Sequence, residues 1–245
     1  MKRRTFLGTL GAVSSLGTLH YTTREPVSKL EVRFFLSEGA SDYPGIESRV
    51  SAYLEGALEY PFWSVDVSMG GIVSTPTEDG ADPVRTGRWP LTVGAGVTGM
   101  GNANPARDVN VLITDGQMST APTGYAIPHV ASVGGARHLA SLDVPTDFDG
   151  YDGYTRPALT AQILLHEVGH TLGLRHEHGH IERHDGKTAV TPMVSAYAWD
   201  DEFDATSCRC GTTYPTDRDT GRLLSHRFSD CALERLTDYA GGLRP

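Results

Sequence analysis

Six of the ten histidines in this 245-residue chain fall between His166 and His184, and the first three, with one carboxylate among them, have a spacing that can do chemistry. Residues 158–176 read ALTAQILLHEVGHTLGLRH. Ala161, Leu164, Leu165, Val168 and Leu172 recur at helical spacing, which predicts an amphipathic helix buried along that stripe. His166 and His170 stand one turn apart on an adjoining face. Four residues of helix rise about 6 Å and return within about 40° of the starting direction, so both imidazoles can meet one ion. Glu167 points to the side, within reach of a water on that ion without itself being a ligand. Gly173 suits a left-handed helix end that reverses the chain, and His176 can then come back as third ligand. Three neutral nitrogens and an open fourth position make a catalytic zinc arrangement, because a structural site fills all four positions with protein atoms.

These residues need a scaffold. Residues 30–36 (LEVRFFL) read as a strand, and Ile46, Val50, Leu54 and Leu58 recur every four residues as one face of a helix over 46–58. Residues 64–69 alternate as a second strand, so the order strand, helix, strand predicts a right-handed crossover and a parallel pair. Residues 75–107, rich in Gly, Pro and Asp, read as a long irregular surface loop. Residues 109–114 (VNVLIT) are a third strand, and residues 125–133 and 138–142 are two more, separated by Gly134-Gly135 as a hairpin turn. A last helix is expected over 232–239.

A competing chemistry fails on mechanism. Gly94-Ala95-Gly96-Val97-Thr98-Gly99 matches the dinucleotide pattern G-x-G-x-x-G, but that pattern holds a pyrophosphate only where a helix starts at the glycines. The following Met100-Gly101-Asn102-Ala103-Asn104-Pro105 cannot sustain one. Charge excludes more. Asp+Glu number 30 against 21 Lys+Arg, a net −9, which makes nucleic acid and anionic membrane surfaces poor partners. Only Lys2, Lys29 and Lys187 are lysines, beside eighteen aspartates. Such an acidic, lysine-poor surface fits work in concentrated salt, although codon bias produces the same swap of Arg for Lys.

Residues 1–20 (MKRRTFLGTLGAVSSLGTLH) place basic residues before an uncharged, mildly apolar run, which is a signal peptide's order of parts. Arg3-Arg4 followed by Thr5-Phe6-Leu7 is similar to the twin-arginine export signal. The run is too short and polar for a stable membrane span. Residues 1–25 are therefore expected to be an export signal and the remainder to act outside the cell; an uncleaved signal would leave the chain anchored.

The run His166-Glu167-x-x-His170-x-x-Gly173-x-x-His176 resembles that of the metzincin zinc metallopeptidases. The resemblance implies an α+β, zincin-like domain over 26–245. Its sheet half, residues 26–174, would hold a twisted, mostly parallel five-stranded sheet with an antiparallel edge strand and the active-site helix. A smaller irregular C-terminal part, 175–245, would end in a helix. It also implies one zinc ion on His166, His170 and His176, Glu167 as general base, and a polypeptide substrate added along the edge strand that residues 125–133 supply. Metzincins pass a methionine turn beneath the zinc, and Thr191-Pro192-Met193-Val194 matches it, with Met193 as an apolar floor.

Departures leave the subfamily open. Phe228-Ser229-x-Cys231 is similar to the adamalysin branch, whereas Glu177 directly after the third histidine is similar to the astacins. Astacins and serralysins have a tyrosine two residues after the turn methionine; here that position is Ser195, and the nearest tyrosine is Tyr197. No cysteine precedes Cys208, so the zinc-capping cysteine of the matrixin pro-segment has no counterpart. Either Cys208 or Cys210 is expected to pair with Cys231. Asp143, Asp147, Asp149 and Asp152 could hold calcium or form an acidic surface loop. His178, His180, His184 and Asp185 could bind a second ion or be solvated. The function expected is a monomeric, secreted zinc endopeptidase. Two readings stay beside it: a zinc-fold adhesion module without catalysis, against which Glu167 argues, and a metallohydrolase of non-peptide bonds.

Overall fold

The computed structural model describes residues 25–116, 123–200, 203, 204, 206, 208, 210 and 220–243, so the export signal expected over 1–25 lies outside the described residues except for Glu25. Strand β1 (Lys29–Ser37) buries one face along most of its length and the other only toward its C-terminal end, where Phe35 follows the half-buried Glu31 and Arg33. Leu30, Val32, Phe34 and Leu36 pack with Val50, Leu54 and Leu58 of helix α2 (Ile46–Leu58), while Phe35 faces the other way. A short helix α1 (Glu38–Ser41) precedes α2, and strand β2 (Ser64–Val73) returns parallel to β1, with Val32 beside Val67. The expected parallel pair, joined through a helix, is therefore present.

Residues 75–107 are not an irregular loop. They carry helices α3 (Asp82–Arg85) and α4 (Arg88–Val97), and α4 buries Trp89 and Val93 against Phe35, Leu112 and Val130. The Phe35 and Trp89 rings meet edge to face at 4.8 Å. Only this i, i+4 apolar pair marks the helix, and the surrounding glycines and Pro90 mask it; Pro90 is tolerated in the first turn, where no intrahelical donor is lost. Gly94 and Gly96 lie at the C-terminal end of α4, the wrong helix pole for a phosphate.

Strand β3 (Val109–Ile113) runs parallel to β1. The single strand expected over 125–133 is a hairpin of β4 (Gly124–Ile127) and β5 (Val130–Val133), closed by Pro128 and His129, with His129 at φ +69°. Gly134-Gly135 is not a hairpin turn, and 138–142 is not a strand. The chain enters helix α5 (Ala136–Leu139), which buries Leu139, and the turn that follows it buries Leu142, whose N–H donates to Leu139 C=O. The sheet order is β2-β1-β3-β5-β4, all parallel except the edge strand β4.

Beyond it, β6 (Tyr151–Gly153) precedes helix α6 (Arg156–Thr171), and β7 (Ile181–His184), β8 (Lys187–Val190) and β9 (Arg222–Ser225) follow. These strands form a second mixed sheet, β6-β9-β8-β7, three of whose strands lie in the part expected to be irregular and one, β6, before α6. The last helix, α7 (Asp230–Thr237), returns Ala232 and Leu236 to the main core. The architecture is mixed α+β. Among the described residues no helix is long and apolar enough to cross a membrane.

Candidate metal centre

Helix α6 begins at Thr155, whose hydroxyl accepts the Ala158 N–H, with Pro157 in the first turn. Ala161, Leu164, Leu165, Val168 and Leu172 are all buried in the main core, as their spacing predicts. The helix ends in a Schellman arrangement. Leu174 N–H donates to Gly169 C=O at 2.9 Å, Gly173 N–H donates to His170 C=O at 3.0 Å, and Gly173 is left-handed at φ +87°. The reversal carries the chain into a 3-10 turn, His176–His178, and returns His176 to the helix.

His170 Nε2 lies 3.0 Å from His166 Nε2 and 3.2 Å from His176 Nε2. The other ring nitrogens of the helix pair are tied to carbonyls: His166 Nδ1 to Pro192 O at 2.7 Å and His170 Nδ1 to Leu174 O at 2.9 Å. A carbonyl only accepts, so each Nδ1 carries the hydrogen and each Nε2 presents a lone pair. Two lone pairs 3.0 Å apart repel, and a shared cation turns that repulsion into ligation. Burial, followed for His166 by the neighbouring His170, keeps the rings neutral: His166 is pulled down to about 3, and His170 and His176 are lowered. Among the described residues this is the one group of three or more His, Cys, Asp or Glu side chains able to converge on a metal ion.

The turn after β8 forms the floor. Pro192 supplies the carbonyl that orients His166, and Met193 is buried with its sulfur against α6, where a Cβ on Gly169 would lie 2.5 Å from Sδ. Glu167 is only 5 % exposed, and burial raises its carboxyl to about 8. A cation beside it would draw that value down again. Tyr197, four residues after Met193, lies against two of the histidines, its ring 5.8 Å from that of His166 and 5.3 Å from that of His176. Ser195, two residues after Met193, is buried with φ +49°.

Several expected ligands go elsewhere. Asp149 pairs with Arg227 at 3.0 Å, Asp152 with His226 at 3.1 Å, and Asp147 accepts the Asp149 N–H. Among the described residues these three and Asp143 do not converge as a ligand group, and one oxygen each of Asp147, Asp149 and Asp152 takes a protein donor, which favours the acidic surface loop over a calcium site. His178 Nδ1 accepts the Arg175 N–H, and His184 faces Asp185 at the surface. His180 does not join them in a second cluster. Cysteine pairing is Cys210 with Cys231, and Cys208 is buried in the core beside the second sheet. Ser229, two residues before Cys231, donates to His178 C=O and so ties the disulfide region to the turn bearing His176.

Sequence reasoning missed a second buried histidine, His226, whose Nδ1 lies 2.8 Å from the Tyr53 hydroxyl and whose Nε2 lies 3.1 Å from Asp152. A lone histidine just after an apolar strand was its only signal. It also missed a recess of about 1560 Å³ among Glu55, Tyr60, Arg227 and Glu234, which contains neither the three histidines nor Glu167. No protein-family model matches the chain, and no curated protein matches it.

Proposed function

We propose that this chain is a secreted zinc endopeptidase with a zincin-like catalytic domain over 26–245, and that Glu167 is its general base. The observation that carries the reading is the convergence of three imidazoles, two with their lone pairs fixed by carbonyls behind them, beside a buried carboxylate one residue along the helix. Imidazole donors suit zinc, and three of them leave a coordination position for chemistry. Zinc bound there supplies an acidified water and polarises the scissile carbonyl. Glu167 accepts the proton of the attacking water and delivers it to the departing amine. Tyr197 closes the site beside His166 and His176.

The geometry of the sheet edge supports an extended peptide as the substrate. Gly134 N–H donates to Thr123 C=O, and the β4–β5 register pairs Tyr125 with Ser132 and Ile127 with Val130. Alternation along an antiparallel ladder then turns the N–H and C=O groups of Gly124 and Ala126 outward, where an extended peptide can add as the next strand. The twin-arginine-like leader and the acidic, lysine-poor surface support export and a salty medium; a stability curve that does not rise from low to molar salt would remove the second part.

Digestion of casein or gelatin, with and without chelator, tests the activity. Cleavage that stops on chelation and returns with zinc is expected. Zinc binding without any hydrolysis would leave an adhesion module, and chelator-sensitive hydrolysis of esters alone would leave a non-peptide hydrolase.

A further inference from the structure

Glu167 is a buried carboxylate with no hydrogen bond or ion pair to another side chain or backbone group among the described residues, so among them packing is what holds its side chain. The contact is specific. A Cβ built on Gly124 would stand 2.7 Å from Glu167 Cγ, 2.7 Å from Oε1 and 2.9 Å from Cδ, closer than carbon atoms tolerate. Gly124 is buried at the head of β4, paired with Val133, and its outward main-chain groups belong to the edge proposed to take substrate. Backbone that receives the peptide and the carboxylate that would act on it are thus in direct contact.

We propose that Gly124 is the positioning residue for Glu167, its missing side chain leaving the slot in which the carboxylate is held against the substrate strand. This rests on the reading of Glu167 as general base. A methyl group in the slot would push the carboxylate away from its working position, and displacements of about 1 Å cost on the order of 100-fold in rate.

The test is a double-mutant cycle of Gly124→Ala and Glu167→Ala, read by zinc content, melting temperature, kcat and KM on a fluorogenic peptide. Gly124→Ala is expected to keep its zinc and its KM within about twofold while kcat falls roughly 10- to 100-fold. In the Glu167→Ala background the same methyl should change neither the residual rate nor the melting temperature, because the group it strikes is gone. Equal losses in both backgrounds would overturn the proposal, as would an unchanged kcat in the single variant. If Gly124→Ala alone fails to fold, the double variant should fold; its failure would assign the glycine to the strand and not to Glu167. Should Glu167→Ala keep full turnover, the general-base reading falls, while the coupling in melting temperature still reports on the contact.

Discussion

At His226 both ring nitrogens have partners, whereas at His166 and His170 only one of each pair does. Asp152 can only accept, so His226 Nε2 donates to it, Nδ1 accepts from Tyr53, and the group is complete within the protein. In the helix pair, carbonyls of Pro192 and Leu174 take the Nδ1 hydrogens and leave two Nε2 lone pairs turned toward each other and toward His176. His166 and His226 are both buried and His170 half-buried, and burial lowers the proton affinity of all three, so burial does not separate a structural histidine from a ligand. Acceptors left facing one another do.

The largest expected difference between the centres is catalytic. Glu167→Ala should keep its metal, measured by elemental analysis, and lose hydrolysis of casein by about two to four orders of magnitude. Unchanged turnover would remove the distinction. Stripping the metal comes next: chelation should lower the melting temperature of the wild-type protein by the equivalent of about 4 kcal/mol where free metal had exceeded Kd a thousandfold. His166→Ala should abolish this response. A smaller effect is expected at the completed centre. His226→Asn should bind one metal per chain as before but cost about 1–3 kcal/mol in urea unfolding, because the shorter amide cannot span from the buried Tyr53 hydroxyl to Asp152 as the ring does.

The smallest effect is in pH. Burial lowers the His226 value below its ordinary 6.5, and Asp152 only partly restores it. The unfolded chain then takes up a proton that the folded chain refuses, so this contribution is complete above about 6.5 and is lost as pH falls below it toward the folded value. With metal saturating, the fall in stability between about pH 6.5 and 5.5 should be shallower in His226→Asn, by less than about 1.4 kcal/mol per pH unit. Equal slopes would show that His226 does not carry it.

Legibility differed between the same regions. The ligand helix could be read because its spacing carries two periods at once, a buried stripe and a one-turn histidine pair, and the helix α2 range matched for the same reason. Helix α4 was hidden because only two apolar residues, Trp89 and Val93, hold it to the sheet, while Pro90, Gly94 and Gly96 interrupt the helical signal. The hairpin at Pro128-His129 was misplaced to Gly134-Gly135. A glycine pair is the stronger local turn signal, but His129 takes the positive φ with its ring nitrogen against Asp108 C=O. The second sheet was missed because its strands have only three or four residues and one of them precedes α6, so no window of sequence contains the pairing.

Local spacing was enough to name His166, His170 and Glu167, since helix geometry relates neighbours a turn apart without reference to anything else, and the glycine at 173 signalled the reversal that adds His176. Choosing Cys210 for Cys231, sending Asp149 and Asp152 to Arg227 and His226, bringing Pro192 behind His166 and laying Gly124 against Glu167 all depend on contacts between segments distant in the chain. Such contacts follow from how the two sheets and α6 pack, and packing is a property of the assembled chain that no periodicity encodes.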